Sequence, residues 1–186
     1  MNDNDYNFSM RFPYLNDKQN KILEMYITGR QFINSIPEDH YYTSEHERIS
    51  LSVPYVVTKI FSIEIFIKLI YLFYEENYPR GHCIYDLFEQ IKQKSDIYVF
   101  LKLKCDKIFD NANQLDIFIV ELKKHNNAFI EWRYNFEKEH ILSCNLIFIN
   151  YFSAFLEEYC RKIISEKLKI NIKDFNFEMH PISWTQ

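Results

Sequence analysis

Apolar positions along this chain recur at helical spacing far more often than they alternate. Ile22, Leu23, Tyr26, Ile27, Phe32 and Ile33 give the stretch from Asp17 to Ser35 one apolar side, and Pro37 ends it. Glu38 to Glu47 is polar and reads as loop. A long second helix is predicted from Pro54 to about Glu76, with the proline in the first turn, where its missing N–H has no partner to lose. Its apolar residues (Ile60, Phe61, Ile63, Ile65, Phe66, Ile67, Leu69 and Ile70) are too dense for a one-sided stripe, so this helix belongs at the centre of a bundle.

The turn Asn77-Tyr78-Pro79-Arg80-Gly81 leads into a short helix over His82 to Gln93, with Ile84, Leu87, Phe88 and Ile91 on one face. Further helices are predicted over Asp96 to Phe109, from Gln114 onward with a break at Asn126-Asn127 and a continuation through Ala128 to Glu139, and from Cys144 to Lys169. The best strand candidate, Asn171 to Phe177, has no obvious partner. The expectation is an all-α, single-domain, up-and-down bundle of about six helices over 17–170, with a flexible arm over 1–16 and a tail over 171–186.

Composition sharpens this picture. Of 186 residues, 47% are hydrophobic and 26% charged, a globular balance. Only two glycines occur, Gly29 and Gly81, too few for the tight turns of an all-β fold and for any Gly-rich phosphate loop. The net charge of −4 argues against sequence-independent coating of duplex nucleic acid, while leaving room for a local basic site. Cys83, Cys105, Cys144 and Cys160 form no Cys-x-x-Cys pair and no finger spacing with histidine, so neither metal nor cofactor is expected. Met1 to Met10 is polar and acidic, without signal-peptide character, which points to a cytoplasmic protein with free thiols. A membrane span is not expected: Val53 to Tyr74 carries Lys59, Glu64 and Lys68, and Ile141 to Leu156 falls short of the roughly 20 residues needed.

Three segments, in order, resemble one family. They are Ser62-Ile63-Glu64-Ile65-Phe66-Ile67-Lys68, then Arg80-Gly81-His82-Cys83-Ile84-Tyr85-Asp86-Leu87-Phe88, then Ala128-Phe129-Ile130-Glu131-Trp132-Arg133-Tyr134-Asn135-Phe136-Glu137. Together, over Leu51 to Tyr159, they resemble HEPN domains, in particular a bacterial branch with a Glu-x-x-x-Lys helix, a Gly-His turn and a Trp-Arg-Tyr-x-x-Glu helix. The resemblance implies a compact helical bundle, a homodimer, and a metal-independent endoribonuclease of a toxin or phage-defence system, with RNA as substrate and a protein antitoxin as partner. It also implies an Arg followed, four to six residues on, by a His. Here Arg133 precedes His140 at the upper limit of that spacing.

Seven helical positions return to within about 20° of the starting direction, displaced along the axis by roughly 10 Å, so Arg133 and His140 share a face if the helix persists. The residue types suit RNA cleavage through its own 2′-hydroxyl. His140 is the acid/base, Arg133 the phosphate clamp, and Asn135 orients either the phosphate or His140. Structural alternatives stand beside each role. Arg133 lies four before Glu137 and can simply pair with it. Trp132 is a core anchor or a stacking platform. Glu64 and Lys68 form an intrahelical pair at i,i+4, and His82 pairs with Asp86 one turn on. His40, His46, His125 and His180 have no partner at useful spacing. The other function class is a non-catalytic helical module that binds RNA, a nucleotide or a protein.

Overall fold

The computed structural model describes residues 12–35, 45–108, 114–133 and 144–172, with the backbone course alone at 45–52, 106–108, 114, 129, 132 and 133. Among these residues the chain forms seven helices: α1 (Asp17–Asn34), α2 (Glu45–Tyr74), α3 (Ile84–Lys92), α4 (Ile97–Ile108), α5 (Gln114–Lys124), α6 (Ala128–Arg133) and α7 (Leu146–Lys167). The all-helical bundle expected from periodicity is the observed architecture. The count exceeds six because the chain does break between α5 and α6, at 125–127.

The helix ends follow from capping chemistry. Asn16 accepts from the Gln19 N–H at 2.8 Å while the Gln19 side chain accepts from the Asn16 N–H at 3.0 Å, a reciprocal cap that starts α1. Asn145 does the same one-way service for Phe148 at the start of α7. Asn20 reaches back to bond Phe12 and Leu15, which ties the segment before α1 to its first turns.

α2 is the hub, packed against α1, α3, α6 and α7. Ile60, Ile63, Phe66, Ile67, Leu69 and Ile70 are all buried, as their density around the helix required. α1 runs antiparallel to α2, with Phe32 edge-on to Phe61 and Tyr26 near Phe66. Gly29 sits where a β-carbon would stand 2.5 Å from the buried Phe66 ring, so the two helices approach at that point only because a side chain is missing. α7 runs parallel to α2: Tyr55 bonds Asn150 at one end and Tyr74 meets Tyr159 and Lys167 at the other. Phe88, Phe118 and Phe152 form the aromatic centre that fastens α3 and α5 to α7.

Two expectations need correction. α2 begins at Glu45, nine residues before Pro54, which therefore lies inside the helix and not in its first turn. Residues 45–53 mix polar residues with Ile49, Leu51 and Val53 and contain no helix breaker, and continuity with the buried stretch beyond Pro54 outweighs the bond that the proline removes. The short third helix starts at Ile84, so His82 belongs to the preceding loop, where Gly81 takes a φ of +102°. Residues 171 and 172 are not strand, and the rest of that candidate lies outside the described residues. No described helix is long and apolar enough to cross a membrane.

Candidate functional site

Glu64 and Lys68 stand midway along α2, one turn apart, and their predicted pair forms at 2.8 Å. It is more than an ordinary surface pair. The Glu64 side chain is only 4% exposed and holds a second base, His82 of the loop before α3. The His82 Nδ1 lies 2.9 and 3.0 Å from the two Glu64 oxygens. The expected partner Asp86 is not the one used, and this corrects the sequence reading. Spacing along one helix cannot reveal a carboxylate 18 residues earlier on another helix.

A carboxylate only accepts, so Nδ1 carries the proton of this contact. In the neutral ring that tautomer makes Nε2 the basic nitrogen. Glu64 thus fixes the ring's orientation and tautomer from within the core, while the His82 side chain remains 49% exposed. A buried carboxylate aiming a half-exposed imidazole is the arrangement that general-base sites use.

The loop that carries His82 is held from the far side by the α5–α6 corner. α3 has no cap of its own at Cys83. Instead the Ile84 N–H donates to the Asn126 carbonyl at 3.0 Å, and the Tyr85 and Asp86 N–H groups share the Asn126 Oδ1. Asn126 in turn donates to Asp86, and the Cys83 thiol donates to Asn127 at 3.3 Å. These bonds satisfy the first turn of α3, leaving it unsuited to receive an anion. Burial, then the nearby Asp86, pushes the Cys83 thiol up, which keeps it protonated and a poor nucleophile.

Asn126 and Asn127 lead directly into α6, whose last residue is Arg133. The backbone of Trp132 and Arg133 is therefore helical and borne by a helix packed on α2. Asn135, Glu137 and His140 lie outside the described residues. The structure thus joins Glu64, Lys68 and His82 in one cluster, puts Asp86 beside it through Asn126, and brings the start of the third segment alongside.

Sequence reasoning missed three further sites. His125, thought to lack partners, is buried: its Nδ1 faces the Glu121 carbonyl at 2.8 Å and its Nε2 accepts the Asn145 N–H at 3.2 Å, with the ring stacked on Phe148. Asn126 was read only as a break. A polar chain also joins Asp96, Tyr159, Tyr74 and Lys167: the Tyr159 hydroxyl donates to Asp96 at 2.5 Å and meets Tyr74, whose hydroxyl accepts from Lys167. Burial first, and then the Asp96 contact, drives Tyr159 far up, while the Tyr159 hydrogen bond holds Asp96 below its ordinary value.

No group of three or more His, Cys, Asp or Glu side chains among the described residues is placed to hold a metal ion. Comparison of the chain with protein-family models, curated proteins and solved structures gives no match.

Proposed function

We propose that this protein is a HEPN-like, metal-independent endoribonuclease of a toxin or phage-defence system, cutting RNA with Arg133, Asn135 and His140 across a homodimeric cleft. The observation that carries this reading is the convergence of three separate stretches of sequence. Glu64 of the first, paired with Lys68 at 2.8 Å, binds His82 of the second at 2.9 Å. Residues 83–86 of the second bind Asn126 and Asn127, at the door of the third. Segments that resemble one family in order also meet in space.

In the proposed reaction His140 removes the proton of the 2′-hydroxyl, and that oxygen attacks the adjacent phosphorus. The leaving 5′-oxygen takes up the proton that His140 then gives back as the acid, and Arg133 stabilises the charge on the phosphoryl oxygens through its fork of donors. Glu64, Lys68 and His82 support the base of this site. The test is cleavage of RNA by the full chain in EDTA. His140→Ala and Arg133→Ala each lower the rate by at least about 100-fold. Equal cleavage by wild type and His140→Ala sinks the proposal.

A second reading draws on the saturation of Glu64 by two bases, which is also how a structural strut looks. In that case the chain is a non-catalytic module for RNA, a nucleotide or a protein, Arg133 pairs with Glu137, Arg133→Ala lowers the melting temperature, and neither wild type nor variant cleaves RNA.

A further inference from the structure

The loop between α2 and α3 separates two clefts that share a wall. One, of about 400 Å³, lies between the end of α2 and α3 and is lined by Tyr71, Arg80 and Gln90. The other, of about 310 Å³, opens toward α1 and is lined by Lys18 and Lys21. Glu76, Asn77 and Tyr78 border both, and Tyr78 is 50% exposed. A half-exposed aromatic ring therefore stands as a ridge between two nucleotide-sized hollows, with cations on either side. Arg80 lies two residues before His82 in the same loop.

We infer that this double cleft is a track for single-stranded RNA, an inference that rests on the proposed RNA function. A base stacks on the Tyr78 ring, Asn77 and Gln90 meet base edges, and Lys18, Lys21 and Arg80 meet phosphates. A duplex is refused because its bases are already stacked and offer no free face to Tyr78. Carboxylates also line the clefts. Lys94 covers Glu75 at 2.5 Å, while Asp17 and Glu76 remain. The strand is therefore held more by stacking than by charge, and its binding weakens only gently with salt. Three cations set a slope of log affinity on log salt no steeper than about −2.

Anisotropy of a labelled, 2′-O-methylated RNA of about ten nucleotides, bound to the full chain, tests this without any cleavage. The expected result is binding of the strand and not of its duplex, weakened about tenfold by Tyr78→Ala and restored by Tyr78→Phe. The Lys18→Ala, Lys21→Ala double variant flattens the salt slope. Absence of strand binding, equal duplex binding, or a Tyr78→Ala variant that binds like wild type overturns the track. Cleavage of ordinary RNA with unchanged Tyr78→Ala binding removes the track and spares the nuclease. Tyr78-dependent binding without cleavage does the reverse.

Discussion

Two histidines sit at helix ends, each bridging distant segments, yet they are built in opposite ways. His125 is buried at the α5–α6 corner, and its ring is spent on backbone: one nitrogen toward the Glu121 carbonyl, the other accepting the Asn145 N–H. Both bonds are local to the joint between α5 and α7, and Phe148 covers the ring. His82 is half-exposed and its Nδ1 contacts a buried charge. The first arrangement consumes everything an imidazole can do. The second anchors a half-exposed ring on a buried carboxylate. A structural histidine and a candidate working one can thus be told apart by what their partners are and how much of the ring is covered.

Substitutions can break this contrast. The largest effect is expected for His125→Ala, which removes the acceptor of the Asn145 N–H and leaves a void beside Phe148. It should lower stability by about 2–4 kcal/mol, measured by denaturant unfolding. Glu64→Gln keeps the shape but faces two bases with a neutral amide, and should cost about 2 kcal/mol. His82→Ala removes a half-exposed partner and should cost less than about 1 kcal/mol. If His82 is part of the working site, its RNA cleavage still falls by 10-fold or more. A His82→Ala loss as large as that of His125→Ala would erase the distinction.

The smallest effect is a matter of pH. Asp96 is held below its ordinary 3.8 by the Tyr159 hydrogen bond, then by Lys162. A folded value below the unfolded one adds stability above the unfolded value, and this is lost as pH falls through the folded one. Asp96→Asn should therefore lower the melting temperature at pH 7, and the gap to wild type should shrink as pH drops below about 3.8. A gap that persists to pH 2 would mean that Asp96 acts through shape and not charge.

Much of the bundle was legible because its signals are local. The density of Ile and Phe around α2 placed it at the centre, although the face of Phe61, Ile65 and Lys68 is only half-buried, and the Asn126-Asn127 break appears where the sequence placed it. The start of α2 was misplaced because Pro54 looks like a first-turn residue. The candidate site was half legible. Glu64–Lys68 follows from i,i+4 spacing, but the Glu64–His82 contact links α2 to the loop before α3 and has no spacing rule. His125 was misjudged for a related reason. Its partners are main-chain groups, which every residue has and none advertises.

Asn126 gives α3 a dependence that its nine residues do not reveal. The amides that open this helix are closed by a group 40 and 41 positions further along the chain. Its first turn is thus not self-sufficient, and the α5–α6 corner and the start of α3 form one cooperative unit. Amide hydrogens at Ile84 and Tyr85 should exchange at the rate set by opening of that corner, so any loosening there is transmitted to the histidine just upstream.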